Sequence, residues 1–224
     1  MIPGQPLIDF GWILEHLDDI ALRIWQHIIL TAIPVAIGFG VALVLGIWIV
    51  RKPVAYGPVT VVSGLLYTIP SLAFFAVLIP ITGISLVTAV IPLVTYTLLI
   101  LVRSIVAGFR GVPSDVLEAA EGMGYTRRQR LVRVEFPLAI PMMITGLRLA
   151  TVTVIGLATV ASIIGGDTFG GLGQLITEGL QTFFPTKYLL GAGLSILLAF
   201  AADYLFIRLE RRVTPWTRMR PVTR

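Results

Sequence analysis

Gly111-Val112-Pro113-Ser114-Asp115-Val116-Leu117-Glu118-Ala119-Ala120-Glu121-Gly122-Met123-Gly124 lies at the centre of a basic interruption, residues 103–148, in an otherwise apolar chain. The interruption carries seven arginines, from Arg103 to Arg148, and is flanked by runs of apolar residues long enough to cross a hydrocarbon core. Its reading decides the fold. If the flanks are membrane helices, this segment is where the membrane part meets something soluble.

The rest of the chain supports membrane flanks. Of 224 residues, 56% are hydrophobic and only 13% charged, too few charges to cover a soluble domain of this size. Five spans are expected: Ile28 to Val50, Val59 to Ile79, Ile84 to Val102, Pro141 or Met142 to Ile164, and Tyr188 to Ile207. Each approaches the roughly 20 residues that a helix needs at about 1.5 Å rise per residue. Helices are required, because an open sheet in lipid leaves backbone groups unpaired and the runs lack the alternation of barrel strands. The fold class is therefore an all-α integral membrane protein. Pro34, Pro70 and Pro92 fall in or near spans, where proline kinks a helix or opens it locally.

Before the first span, Ile13, Leu17, Ile20 and Ile24 recur at helical spacing among acidic and polar residues. The expected organisation is an external segment 1–27 with an interfacial helix, a transmembrane region 28–207 that includes a cytoplasmic loop 103–141, and a basic tail 208–224. With the N-terminus outside, 15 of the 17 Lys and Arg residues fall on the cytoplasmic side, leaving only Arg23 and Lys187 outside. The net charge of +5 is thus explained by topology, and nucleic acid is not an expected partner.

Within the interruption, Ser114 stands where a helix cap belongs, Glu118-Ala119-Ala120 continues that helix, and Gly122 and Gly124 favour a turn. A second short helix is expected over about 126–134, with Pro137 at its end or at the entry to the fourth span. The small residues Ala119, Ala120 and Gly124 permit close approach of a partner, and Glu118 offers an acceptor. The residues alone fit an ordinary solvated loop equally well.

Glu118-Ala119-Ala120, three residues, Gly124, nine residues, Val134, one residue, Phe136 and Pro137 resemble the EAA motif of bacterial ABC importer permeases. The family commonly has Ile and Leu where Val134 and Phe136 stand here. The resemblance covers nearly the whole chain after about Leu22. The segment Arg103 to Pro113 and the glycine-rich run Ile164-Gly165-Gly166 to Gly170-Gly171-Leu172-Gly173 are similar to its osmoprotectant branch. It implies a type I importer fold with a five-helix core in the bacterial cytoplasmic membrane. The loop would be a coupling helix received by a groove in an ATP-binding subunit. Implied partners are two ATP-binding subunits, a second identical or homologous permease, an external substrate-binding protein, the lipid bilayer, and a small cationic or zwitterionic substrate such as glycine betaine, choline or carnitine. An amino-acid permease, for methionine among others, is the alternative within the family. A secondary transporter or a structural membrane protein is the alternative outside it.

No Gly-x-x-x-x-Gly-Lys-Ser/Thr phosphate cradle occurs in the sequence, so ATP and Mg belong to the partner ATPase, and no cofactor is expected on this chain. Gly165, Gly166, Gly170, Gly171 and Gly173 suit an external turn and close helix contacts. Beyond them, Leu172, Leu175, Ile176 and Leu180 alternate with Gln174, Thr177, Glu178 and Gln181 in the pattern of a short amphipathic helix. It is a candidate external gate or binding-protein contact, or a plain surface helix. Tyr67 and Tyr96 are the candidate pathway residues, because an aromatic face attracts a quaternary ammonium. Asp203 and Arg148 are read as separate interfacial charges. His16 and His27, without cysteine or a carboxylate cluster, give no metal site, and no set of paired catalytic groups is present.

Overall fold

A computed structural model describes residues 7–215, with residues 163, 164 and 166–168 described by their backbone alone. The expected leader and tail segments extend beyond this range, at residues 1–6 and 216–224. All regular structure among the described residues is helical.

The first long helix, α2 (Leu17–Arg51), is preceded by a single short one, α1 (Phe10–Glu15). Asp9 caps α1 by accepting from the Trp12 N–H at 3.1 Å, and the chain breaks at His16. The helical spacing of Ile13 to Ile24 is thus divided. Residues 17–27 belong to the first membrane helix rather than to a separate interfacial one, because nothing between Leu17 and Ile28 interrupts the helical hydrogen bonding. Pro34 is accommodated inside α2.

Gly38, Ala42 and Gly46 repeat every fourth residue on α2 and are buried, the small-residue stripe that lets membrane helices approach closely. A β-carbon on Gly38 would meet Thr97, and one on Gly46 would meet Ile105. Both contacts are with α5 (Leu86–Arg110) and advance together, so α2 and α5 run parallel. The chain must therefore return between them. The return was expected as one span from Val59 to Ile79. It is instead a broken pair, α3 (Tyr56–Thr68) and α4 (Ser71–Thr82), bent by 91°. The cause is Pro70: it disfavours helical backbone at the residue before it and lacks an N–H to donate. Ile69 accordingly is extended, with φ −64° and ψ 126°.

Beyond the interruption, α8 (Phe136–Phe169) runs antiparallel to α5 and α10 (Pro185–Val213) antiparallel to α8. Among the described residues four helices are long and apolar enough to cross a membrane, and the broken pair makes a fifth passage if it counts as one span. All reach past the expected limits. The third span extends from Val102 through Arg103 to Arg110 and the fifth from Ile207 to Val213, where long Arg side chains tolerate helix beyond the apolar core; the fourth runs on from Ile164 to Phe169. The bundle has two stacked cores. One, around Ile49, Leu101, Ile105 and Ala139, lies toward the end bearing Arg51, Arg110 and Arg127; the other, around Leu30, Phe75, Leu93 and Ala158, lies toward the opposite end.

Candidate functional site

At the basic end, α6 (Ser114–Gly122) and α7 (Arg127–Arg130) form the expected helix, turn and helix. Pro113 occupies the cap position, and Ser114 is the first helical residue rather than the cap. Helix α6 ends in paired reverse bonds: the Tyr125 N–H donates to the Ala120 carbonyl at 3.1 Å and the Gly124 N–H to that of Glu121 at 2.9 Å. This termination needs a left-handed residue after the cap, and Gly124 supplies it at φ +81°. Thr126 then starts α7 in a reciprocal capping box with Gln129. The turn is therefore specified on both sides.

The motif residues separate into two groups. Glu118 and Ala119 are exposed, as is Gly124, while Ala120 is buried at 1% exposure and roots α6 on the bundle. Val134 lies in a five-residue π-type turn, Leu131–Glu135, that joins α7 to α8 without a break. The second helix expected over 126–134 thus does not stop: Phe136 and Pro137 open α8 directly out of the π-type turn, an irregularity of the kind that goes with a proline lacking an N–H to donate. Phe136 packs against Phe109 with ring centroids 6.5 Å apart. Arg130 ties the unit together, donating from Nε to Glu135 at 2.7 Å and pairing also with Glu121.

Tyr67 and Tyr96 are brought together at the break between α3 and α4, with rings edge to face at 5.9 Å, and Phe74 is edge to face with Tyr96 at 6.1 Å. They are not equivalent. Tyr96 is 3% exposed and its hydroxyl donates to the Ile69 carbonyl at 2.6 Å, so it holds the bend; Tyr67 keeps 39% of its surface exposed.

At the opposite end the expected amphipathic helix is α9 (Gly171–Gln181), but it is no surface element. Leu172, Gly173, Gln174 and Leu175 are all buried, wedged among α2, α8 and α10. Burial on the polar side is possible because Gly173 has no side chain: a β-carbon there would stand 2.3 Å from the Thr159 carbonyl oxygen. Gly170 occupies the cap position, and Gly171, at φ +54°, turns the chain from α8 into α9. Its N–H donates to the Gln26 side chain at 3.2 Å.

Pairings between distant side chains that the sequence did not foresee complete this clasp. His27 is wholly buried: Nδ1 accepts the Leu172 N–H at 3.3 Å, which leaves Nε2 to donate to the Ile155 carbonyl at 3.1 Å. Arg23 bridges Asp19, at 3.2 Å, and the Gln174 side-chain carbonyl. Gln174 donates to Glu178 at 2.8 Å, as does Lys187. Burial opposes ionisation of Glu178, but the hydrogen bonds from Lys187 and Gln174 and the charges of Lys187 and Arg23 outweigh it and hold its carboxyl below the usual range. Lys187 also lies 5.4 Å from the centre of the Trp12 ring. Isolated polar residues in apolar surroundings were the available signal, yet their partners are up to 151 residues apart.

Arg148 and Asp203 are not separate interfacial charges. They form a two-pronged ion pair between α8 and α10, with the second contact at 3.0 Å. Arg148 lies twelve residues into α8, about 18 Å from its start. There each charge is held by the other.

Several membrane-crossing helices gathered around a specified turn at the basic end make this a multi-pass membrane protein. Residues 35–215 match the family described as binding-protein-dependent transport system inner membrane component, and the chain belongs to it. It is a multi-pass inner-membrane protein. The chain is 38% identical over 201 residues to the carnitine transport permease protein OpuCB of Listeria monocytogenes, covering 90% of this chain and 91% of that one. It is 36% identical to the choline transport system permease protein OpuBB of Bacillus subtilis, covering 88% and 89%. In fold it is similar to an inward-facing structure of the MetNI methionine ABC transporter, with a TM-score of 0.76, 23% identity, and coverage of 87% of this chain and 96% of that one.

Proposed function

We propose that this chain is the membrane subunit of an ATP-driven importer of quaternary-ammonium or betaine osmoprotectants, paired with a second permease and served by two ATP-binding subunits and an external binding protein. The N-terminus lies outside and the basic end faces the cytoplasm, in keeping with the excess of arginine there. The observation that carries the substrate class is the likeness, over about nine-tenths of the chain, to permeases named for carnitine and for choline.

Closure of the ATP-binding subunits displaces the exposed face of α6 at Glu118 and Ala119. The displacement passes into α8, because helical structure runs unbroken from Arg127 to Phe169, roughly 60 Å of rod. Near its middle the rod is tied to α10 through Arg148 and Asp203, and two turns further on, at Ile155, to α2 and α9 through His27. Nucleotide state and binding protein thus bias one two-state element from opposite sides of the membrane. Tyr67, with its exposed ring at the broken helix, faces the pathway and attracts the cationic substrate. ATP and Mg act in the partner subunits, and hydrolysis there resets the cycle.

Proteoliposomes containing the permease, its ATP-binding subunit and the cognate binding protein test this reading. Uptake of labelled carnitine, choline or glycine betaine on ATP addition, without methionine uptake, is the expected result. Methionine uptake alone would overturn the substrate class.

A further inference from the structure

A cleft of about 590 Å³ opens at the basic end, between the last turn of α2 and the α6–α7 unit. Four guanidinium groups line it, those of Arg51, Arg127, Arg128 and Arg130, against two carboxylates, those of Glu121 and Glu135. Both carboxylates are engaged by Arg130 alone. Arg51, Arg127 and Arg128 are exposed and make no ion pair or side-chain hydrogen bond among the described residues. The cleft is therefore left with three uncommitted cations. Its remaining walls, Val50 and Leu131, are apolar.

Its position is as informative as its charge. Arg51 is the last residue of a 35-residue apolar helix, and one turn earlier Trp48 is exposed, as tryptophan commonly is at a membrane boundary. One wall of the cleft thus belongs to a membrane-crossing helix and the other to the coupling unit. Guanidinium forks match phosphate oxygens, and basic pockets beside membrane helices recognise lipid headgroups.

We propose that this cleft holds the phosphate headgroup of an anionic membrane phospholipid. Arg51, Arg127 and Arg128 donate to the phosphate oxygens, Val50 and Leu131 take the glycerol and the first acyl carbons, and Arg130, fixed by its two glutamates, forms the inner wall. The lipid then bridges α2 to α7 and steadies the turn that precedes α8. An acidic segment of the ATP-binding subunit is the competing occupant. The lipid is favoured because α2 supplies a wall and because Glu118 and Ala119, which carry the docking role, do not line the cleft. The inference rests on α2 crossing the membrane and is independent of what is transported.

Native mass spectrometry of the purified complex in detergent, titrated with phosphatidylglycerol or phosphatidylcholine, tests it. A preference for phosphatidylglycerol on the order of tenfold or more is expected. Combined Arg51→Gln, Arg127→Gln and Arg128→Gln should abolish that preference, whereas Arg103→Gln, Arg133→Gln and Arg212→Gln, which remove the same charge elsewhere, should preserve it. Combined replacement of the three cleft arginines by lysine should retain part of the preference, and the single change Arg128→Gln reports the same direction if the triple variant does not fold. An undiminished preference in the cleft variants, or equal loss in the control, would overturn the proposal. Displacement of phosphatidylglycerol by millimolar inorganic phosphate would assign the cleft to a free anion instead. Loss of the ATP-binding subunit from the cleft variants with lipid binding unchanged would assign it to that partner.

Discussion

The two ends of the bundle hold their helical turns in opposite ways. At the end carrying α9, the polar groups find partners inside the chain: His27 uses both ring nitrogens, Gln174 meets Arg23 and Glu178, and Gly173 sits against the Thr159 backbone. At the basic end, α6 touches the bundle through Ala120, while Glu118, Ala119 and Gly124 face outward and Arg51, Arg127 and Arg128 have no carboxylate partner among the described residues. One end pairs its polar groups within the chain. The other leaves these groups exposed. On the coupling role proposed above, the first end acts as the rigid joint and the second as the handle.

Damage to the internally paired end should therefore cost the most stability. A side chain at Gly173 has no space, since its first carbon would already lie 2.3 Å from a backbone oxygen that cannot swing away. Gly173→Val is expected to destabilise the protein by about 3 kcal/mol, the upper end of overpacking effects. It should appear as a large drop in the thermal midpoint in detergent. Next comes the middle of the rod. Asp203→Asn leaves Arg148 charged between helices and is expected to cost about 2 kcal/mol. Replacing both partners by leucine should recover most of that loss, because the penalty lies in the unpaired charge. A double variant no more stable than Asp203→Asn would show that the penalty does not lie in the unpaired charge.

What the sequence made legible follows the same division. The helix and turn at the basic end were readable because their signals are local: Glu118-Ala119-Ala120 continues one helix and Gly124 ends it, whereas the expected end of the second helix near residue 134 was not met. The long apolar helices were readable for the same reason. The clasp was not. His27 meets Ile155 across 128 residues, and Arg148 meets Asp203 across 55, so no window along the chain contains either pair. Pro70 was visible, but proline alone does not distinguish a kink from a 91° break; the hydroxyl of Tyr96 satisfying the Ile69 carbonyl is what makes the break tenable. Helix α9 was read as an external gate, a binding-protein contact or a surface helix because its polar residues alternate with apolar ones, and only the packing shows that its first five residues are buried on all sides.

A smaller effect should come from pH. The folded state holds Glu178 below its ordinary value of 4.5, so the unfolded chain binds more protons in the interval between the two values. Stability from this group is fully present above the unfolded value and is lost as pH falls through the folded one. The thermal midpoint should decline as pH is lowered past 4.5, and Glu178→Gln should flatten part of that decline. An unchanged slope in the variant would mean that the Lys187 contact does not persist in the membrane-free micelle.

The smallest stability change is expected at the handle, and there it separates most sharply from function. Glu118 is exposed and makes no side-chain bond among the described residues, so Glu118→Arg should leave the thermal midpoint within about 0.5 kcal/mol of the unaltered protein. ATP-dependent uptake in proteoliposomes should nevertheless fall by roughly tenfold, the scale of a lost coupling free energy of about 1.4 kcal/mol. Retained uptake would remove Glu118 from the force-bearing contact and shift attention to the arginines of α7. A large stability loss would instead mean that α6 depends on this side chain in a way its exposure does not suggest, and the contrast between an internally paired end and an exposed one would fail at the residue on which it rests most.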